Sequence, residues 1–357
     1  MPLLPLHGHR ALRARLDAAV RRDALPGSIL LHGPRGAGKQ RLAQWLGQRL
    51  LCDGAEPRPC GVCQQCRYAL AGTHPDIHWF FPRPRLKDAD PSLARVADDF
   101  REAIGERLKS GAYPPPPPQD GILISTIRAA VHSAVMAPAL AARTLLIIGD
   151  ADRMVVREGA EESAGAFLKL LEEPPSRGTI VLTSSEPGAL IPTIRSRVVA
   201  IRVPAMSATD TAQVLAEPAM QAAVVAAGGP KHATDQLRIA GGAPGSLLDG
   251  NEWADALARA QRMLDAARGG DRREQVRTSL VQGRAGARGA FTTSLDALTV
   301  LLHESVRASA EGGNSRGAAS SARALDAVEQ AKERATGNTN PQLVTNELLR
   351  HLERLLT

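Results

Sequence analysis

The stretch HGPRGAGKQRLAQWL, residues 32–46, follows the apolar run SILL and decides the fold. It fits the phosphate-loop pattern G-x-x-x-x-G-K-[ST] from Gly33 to Lys39, and then has Gln40 where a Ser or Thr hydroxyl should bind magnesium. A strand before the glycine loop and a helix after it are the context that such a loop requires. The stretch therefore predicts an α/β domain built around a phosphate loop with one altered position.

Further apolar runs alternate with helical patterns up to residue 204. TLLIIGDADRM and TIVLTSS predict buried strands, and the helical pattern SAGAFLKLLEE lies between them. Strands that alternate with helices in this way form mostly parallel sheets flanked by helices. We therefore expect an α/β core with such a sheet over residues 1–204.

The pattern becomes helical after this core. Ser207 and Asp210 fit a capping box, and residues 205–250 predict a small helical domain. Residues 251–357 repeat apolar side chains at spacings of three and four, and their last helix should begin at Asn340-Pro341. The pattern predicts an all-helical C-terminal domain, but a helical period does not distinguish packing between subunits from a private core.

Residues 82–120 interrupt the core with a polar, irregular segment that ends in five prolines, Pro114 to Pro118. A proline run can neither donate hydrogen bonds to a strand nor continue a helix. We expect an extended, solvated insertion here. Two roles stay open for it, namely a tolerated surface insertion and a ligand for a proline-binding partner.

All the cysteines of the chain lie close together in the sequence. Gaps of seven, two and two residues separate Cys52, Cys60, Cys63 and Cys66. Gaps of two residues let neighbouring thiolates reach one tetrahedral ion, and four sulfur ligands leave no open coordination position. The pattern predicts a structural zinc module over residues 52–66. A redox Cys-x-x-Cys pair and inert buried thiols are the alternatives, and a reducing cytosol disfavours disulfides.

Two positions of the phosphate-loop site depart from what magnesium requires. Gln40 offers only an amide oxygen on a longer side chain. Where the strand Leu145–Ile148 ends, alignment by the apolar run puts Gly149 at the metal-organising position and Asp150 at the water-activating one, whereas a shift of one residue makes Asp150 the metal residue. We expect no meaningful ATPase activity of the chain's own, and at most weak phosphate binding, from a loop of Gly33, Gly36, Gly38, Lys39 and Gln40.

The order of these motifs resembles a known family. A phosphate loop, a four-cysteine module directly after the helix of that loop, then FLKLLEEPP and SSEPGALIPTIRSR resemble the clamp-loader branch of the AAA+ family. Motifs carry the resemblance over residues 5–250, and helical character with the segment NTNPQLVTNELL carries it over the rest. The resemblance implies an AAA+ core with the zinc module, a helical lid at 205–250 and a helical collar at 251–357.

In that family, an arginine of a Ser-Arg-Cys motif is presented to the ATP site of the neighbouring subunit. By resemblance, Ser196 and Arg197 carry this motif, with Val198 in place of the cysteine. An arginine finger of this kind accelerates hydrolysis by about 10³ to 10⁵. The lid arginine that senses nucleotide in motor subunits is replaced by Gly245 in GGAPGSLL. The resemblance thus implies a non-motor, stator-like subunit that completes the ATP site of a neighbour.

The same resemblance implies the partners. They are the gamma/tau motor subunits and the delta subunit of the clamp loader, the sliding clamp, and primed DNA, within the holoenzyme of bacterial DNA polymerase III. Two alternatives stay open. One is a catalytically active AAA+ motor subunit of the same machine, and the other is a phosphoryl-transferring P-loop kinase with a zinc-stabilised lid.

The length and net charge of the chain restrict the class of protein less than its motifs do. A chain of 357 residues has room for two or three domains. The formal net charge of +7 suits a polyanionic partner such as DNA, although an arginine-rich composition of genomic origin explains the same charge. No apolar run approaches the roughly 20 residues of a membrane span, and the N-terminus lacks the pattern of a signal peptide. We expect a cytoplasmic protein without a membrane partner and with structural zinc as its cofactor.

Overall fold

The structure, a computed structural model, describes most of the chain, namely residues 3–88, 90–117, 119–154, 161–249, 251–281, 288–336 and 339–356. The chain divides into two compact units. The first comprises Met1–Ala223 and Gly242–Leu248, and the second comprises Val224–Gly241 and Asp249–Thr357.

Within the described residues of the first unit, five strands form one sheet. The strands are β1 (Ser28–His32), β2 (Ile77–Phe80), β3 (Thr144–Ile148), β4 (Gly178–Ser184) and β5 (Val199–Arg202). All neighbouring strands run parallel, in the order β2-β3-β4-β1-β5. The expectation of a mostly parallel sheet is confirmed. The helices of this unit are α1 (Arg10–Arg21), α2 (Lys39–Leu51), α3 (Gln64–Leu70), α4 (Leu93–Ser110), α5 (Ile124–Val135), α6 (Glu161–Glu172), α7 (Pro192–Arg195) and α8 (Ala208–Ala216).

The central strands β1, β3 and β4 are buried along nearly their whole length because both of their faces are covered. Leu31 of β1, Ile147 of β3 and Val181 of β4 are fully buried. The register pairs Leu31 with Thr183 on β4. Since the carboxyl ends of parallel strands meet at one edge, the glycine loop after β1 and the residues after β3 and β4 lie together there.

The expectation of an extended, solvated segment over residues 82–120 is wrong for Leu93–Ser110, which form α4. Ser92 caps this helix, since its Oγ accepts a hydrogen bond from the amide of Arg95 at 3.3 Å. Phe100 is buried and packs edge to face on Phe80 and Phe81, with ring centroids 4.9 and 5.3 Å apart. Apolar residues recur along α4 at spacings of three and four and form its buried face, so a local amphipathic pattern, which the expectation of an irregular segment missed, is present here.

The rest of the predicted insertion has no regular structure where it is described. Residues 114–117 form neither helix nor strand, as the proline run predicts, whereas Pro118 and Ala89 lie outside the described residues. Tyr113 precedes the prolines and is anchored in the first unit, because its hydroxyl donates to Oε1 of Gln44 at 2.9 Å. Burial raises the pKa of Tyr113 to about 12.

The second unit is helical, as the sequence pattern predicts for the C-terminal region. Its apolar repeat is buried at Leu295, Leu298 and Leu302, and again at Leu348 and Leu352. The helices are α10 (Ala233–Ala240), α11 (Asn251–Gly269), α12 (Arg272–Val281), α13 (Arg288–Glu311), α14 (Ser315–Thr336) and α15 (Pro341–Leu356), and α9 (Pro218–Ala226) crosses from the first unit into this one.

Two predicted helix starts are present. Oγ of Ser207 accepts from the amide of Asp210 at 3.0 Å, and Oδ1 of Asn340 accepts from the amide of Gln342 at 2.9 Å. Among the described residues, no helix is long and apolar enough to cross a membrane. The lid over 205–250 and the collar over 251–357 stay predictions.

Candidate nucleotide site and cysteine centre

The glycine loop between β1 and α2 folds around its own lysine. Lys39 begins α2 and is buried, with 5% of its surface exposed. Its Nζ donates to the carbonyl oxygens of Gly33 and Pro34 at 2.9 and 2.8 Å, and to Oγ of Ser185 after β4 at 2.9 Å. The structure thus brings the predicted loop residues together, and the ammonium group that would bind phosphate is bonded within the protein.

The loop lies directly against the segment that contains Gly245. The amide of Gly245 donates to the carbonyl oxygen of Gly36 at 3.0 Å. A β-carbon on Gly245 would lie 2.9 Å from the Cα of Gly36, and a β-carbon on Gly36, which has φ +80°, would overlap the amide nitrogen of Ser246. Neither position accepts a side chain, so an arginine at 245 does not fit this arrangement.

Gln40 occupies the magnesium position of the loop with both ends of its amide bonded. Its Nε2 donates to Oδ2 of Asp150 at 2.9 Å. Its Oε1 accepts from Nε1 of Trp79 on β2 at 3.0 Å and from Nη1 of Arg107 on α4 at 3.2 Å. The oxygen that would replace the magnesium-binding hydroxyl is therefore already used by two donors of the chain.

The residues after β3 pack directly against the side chain of Gln40. A β-carbon on Gly149 would lie 2.5 Å from Oε1 of Gln40. Asp150 follows in a left-handed conformation with φ 49°, and its amide donates to Oγ1 of Thr183 at 3.0 Å. Burial and the charge of Asp150 raise the pKa of Asp152, whose Oδ1 accepts from the amide of Ser185 at 3.2 Å.

Arg107 belongs to this site although no motif of the sequence indicates it. Its guanidinium carbon lies 3.4 Å from the ring centroid of Phe81 and 5.2 Å from that of Trp79. Burial lowers the pKa of Arg107 to about 10, and the charge of Asp150 opposes that change. The one signal in the sequence is its spacing of four and seven residues from the buried Ala103 and Phe100, which puts a charge on an apolar helical face.

The predicted finger arginine lies apart from the loop, on the turn after α7. Nε of Arg197 donates to Oε1 of Glu172 at 2.6 Å, and Nη2 completes an ion pair with the same carboxylate. Its Nη1 donates to the carbonyl oxygen of Thr193 at 2.9 Å and to Oγ of Ser196 at 3.3 Å. The side chain of Arg197 is 29% exposed. The guanidinium is accessible and is held by a surface carboxylate.

The four cysteines converge after α2. The sulfur atoms of Cys52, Cys60, Cys63 and Cys66 all lie within 4.8 Å of one another, and none forms a disulfide. Zinc–sulfur bonds of about 2.3 Å hold the sulfurs of a tetrahedral site about 3.8 Å apart. Sγ of Cys52 and Sγ of Cys63 are 3.8 Å apart. The amides of Cys60, Cys63 and Cys66 donate to neighbouring sulfurs at 3.3–3.4 Å, so the donor set fits a closed tetrahedral metal site.

A parallel α/β sheet, a glycine loop after its strand β1 and a lysine at the start of α2 define a protein of the phosphate-loop class. In this member the magnesium position holds a bonded glutamine side chain. The family model described as "DNA polymerase III, delta subunit" matches residues 8–207. The chain belongs to this family.

Several known proteins are similar to the chain. It is 31% identical over 190 residues to DNA polymerase III subunit delta' of Pseudomonas aeruginosa, and the alignment covers 53% of this chain and 46% of that protein. It is 28% identical over 191 residues to DNA polymerase III subunit gamma/tau of Mycobacterium tuberculosis, with 53% of this chain and 26% of that protein covered. The matched region thus spans less than half the length of these relatives.

Among solved structures, a DNA polymerase III gamma subunit-related protein from Thermotoga maritima is similar to the chain. The match covers 96% of this chain and 99% of that one, at 15% identity and a TM-score of 0.37.

Proposed function

We propose that this chain is a non-motor, stator-like subunit of the replicative sliding-clamp loader and helps to load the clamp onto primed DNA. Membership of the DNA polymerase III delta subunit family supports the assignment of the chain to the clamp loader. The amide of Gln40, bonded at both ends in the magnesium position, carries the non-motor part of the proposal. Magnesium demands near-ideal octahedral oxygen geometry, which a committed glutamine oxygen does not supply.

The chemistry that the chain serves takes place at a neighbour's ATP site. Arg197 supplies an arginine finger there, and Ser196 positions it, since Oγ of Ser196 accepts from Arg197 and donates to the carbonyl oxygen of Thr193. The ion pair of Arg197 with Glu172 is exposed, and such pairs contribute little to stability. The guanidinium therefore exchanges readily from a carboxylate to the more highly charged phosphates of ATP.

The cysteine centre holds structural zinc in this proposal. Four thiolates complete the coordination sphere, so the metal stabilises the segment between α2 and α3 and leaves no position open for water. The partners are motor subunits of the gamma/tau kind, a delta subunit, the clamp and primed DNA. Similarity to proteins named DNA polymerase III subunit delta' and subunit gamma/tau supports this assembly.

Reconstitution tests the trans-acting arginine. The full chain is assembled with candidate motor subunits, and ATPase activity is measured with clamp and primed DNA. Arg197→Ala lowers the stimulated activity severalfold and leaves assembly intact, because the transition state in the neighbour loses a fixed positive charge. Arg195→Ala, at an exposed position of α7, is the matched control and leaves turnover unchanged. Equal turnover for wild type and Arg197→Ala would remove the finger role.

The isolated chain tests the non-motor role separately. Nucleotide binding is measured with magnesium and with a chelator, followed by steady-state turnover. The proposal expects no magnesium-dependent ATP binding and no turnover. Tight magnesium-dependent binding with turnover would instead favour an active motor subunit of the same machine.

A further inference from the structure

Helix α4 brings a permanent positive charge to the magnesium side of the glycine loop. Nη1 of Arg107 donates to Oε1 of Gln40 at 3.2 Å, and the guanidinium lies 3.4 Å from the Phe81 centroid. A planar cation that stacks on an aromatic ring and donates a hydrogen bond has a defined position. The cation is thus fixed beside the atom that stands in for the metal-binding hydroxyl.

The neighbouring charges suit a cation at this place. The carboxylate of Asp150 accepts from Nε2 of Gln40, so one amide separates it from Arg107. The charge of Asp150 favours the protonated guanidinium, whereas Arg83 disfavours it. With a pKa of about 10, Arg107 stays charged at neutral pH. An amide that bridges a guanidinium and a carboxylate reproduces the charge pattern of a metal site without a metal.

We propose that Arg107 is a built-in cation that takes the place of magnesium at the glycine loop and excludes divalent cations from it. The proposal rests on the proposed function, in which this chain hydrolyses no ATP. A divalent cation that approaches Gln40 and Asp150 meets a like charge in a poorly screened interior, and the two repel each other. Because Arg107 is part of the chain, its cation stays at the magnesium position of this site while neighbouring subunits bind and hydrolyse nucleotide.

The effect of Arg107 on magnesium binding can be measured separately from the effects of the two altered motif residues, Gln40 and Gly149. Gly149 does not adopt a positive φ, and the three atoms nearest an added β-carbon all belong to the amide of Gln40, so a shorter residue at 40 removes that overlap. Gln40→Thr with Gly149→Asp restores both metal-binding residue types of the motif. If Arg107 excludes the ion, this double variant remains insensitive to magnesium until the cation is also removed.

Calorimetric titration with ATP tests this in the full chain, with magnesium or with a chelator. Wild type and the double variant show no magnesium dependence. The triple variant, which adds Arg107→Ala, binds ATP more tightly with magnesium by about tenfold or more. Arg107→Lys in place of Arg107→Ala retains the charge and abolishes that gain. A magnesium response of the double variant equal to that of the triple one, or none in the triple one, overturns the proposal.

A second measurement needs no restored motif. Arg107→Gln is neutral and keeps a donor for Oε1 of Gln40, so a divalent cation can approach Asp150 in its place. Magnesium, titrated at constant ionic strength, raises the unfolding temperature of Arg107→Gln and leaves wild type and Arg107→Lys unchanged. The proposal fails if Arg107→Gln does not respond. Magnesium-dependent ATP turnover by wild type would contradict the non-motor function instead, so the two failures are distinguishable.

Discussion

Gly149 and Gln40 constrain each other sterically. A β-carbon on Gly149 would lie 2.5 Å from Oε1 of Gln40 and 2.6 Å from its Cδ, closer than real β-carbons approach other atoms. With the amide of Gln40 in this bonded position no β-carbon fits at 149, so a side chain at 149 requires that Gln40 give up its bonds or be replaced by a shorter residue. The two departures from the magnesium motif form one packing arrangement.

This coupling predicts non-additive stabilities. Gly149→Asp alone lowers the free energy of unfolding by about 1–3 kcal/mol, because the new side chain overlaps the amide of Gln40. Gln40→Thr alone also destabilises, since it removes the bonds to Asp150, Trp79 and Arg107. The double variant is more stable than the sum of the two effects, with a coupling of about 0.5–3 kcal/mol. Urea unfolding of the four proteins measures the cycle, and simple additivity would contradict it.

The close approach of Gly245 to Gly36 predicts that alanine at 245 destabilises the chain, whereas alanine at the unhindered Gly105 stabilises it. Gly245→Ala places a methyl group 2.9 Å from the Cα of Gly36, and we expect it to cost about 1–3 kcal/mol of stability. Gly105 is the matched control, because it lies within α4 and nothing stands within 4 Å of its added β-carbon. Gly105→Ala should stabilise the chain by about 0.5–1 kcal/mol. Both are read by chemical denaturation, and a change of the same sign at both sites would refute the close-packing argument.

The cysteine centre predicts a metal that stabilises the fold. Purified wild type should carry a single zinc ion per chain by elemental analysis, and Cys63→Ser should lose it. A chelator should lower the unfolding temperature of wild type but not of Cys63→Ser, because structural zinc contributes to folding directly. Val62→Ser is the control, since Val62 lies between two of the cysteines and is 76% exposed. Full zinc content in Cys63→Ser would rule out a four-sulfur site.

The hydrogen-bonded carboxylate of Asp76 leads us to expect that the stability of the fold depends on pH. Burial tends to raise the pKa of its carboxyl, but bonds from the amides of Ala139, Leu140 and Ala141, at 2.6, 2.9 and 2.6 Å, together with the charge of His74, bring that pKa below its ordinary value. A carboxyl whose pKa is lowered by folding stabilises the fold above its unfolded pKa of about 3.9 and loses this effect as pH falls through the folded pKa.

The variant Asp76→Asn isolates this carboxylate. At neutral pH it should lower the free energy of unfolding by about 1.5–3 kcal/mol, the usual contribution of hydrogen bonds to a charged group. The difference from wild type should shrink as pH falls below about 4 and should be lost only below the lowered folded pKa, where both proteins carry a neutral side chain. Asp88→Asn, at an exposed position, should have little effect at either pH. A loss that is the same at both pH values would show that ionisation of Asp76 is not its cause.

The local pattern of apolar residues in the sequence was sufficient to predict much of the fold. The apolar runs of β1, β3 and β4 and the spacing of Leu348 and Leu352 on α15 report burial directly, and the structure confirms both the parallel sheet and the helical C-terminal region. Strand β2 and helix α4 escaped prediction. The first is only four residues long, whereas the second does carry a helical repeat of apolar residues, at Val96, Phe100 and Ala103, within a segment otherwise rich in charge. The contact of Phe100 with Phe80 joins the two elements, and local periodicity does not contain this long-range contact.

The sequence by itself determined the chemical inventory of this protein, namely a glycine loop with lysine, a glutamine in the magnesium position and four closely spaced cysteines. Only the tertiary structure decided what Gln40 does. Its partners Asp150 and Arg107 are 110 and 67 residues away along the chain, and they meet because the end of β3 and the helix α4 converge on the loop. A hydrogen bond requires atoms within about 3 Å, and only the packing of whole elements brings such distant residues that close.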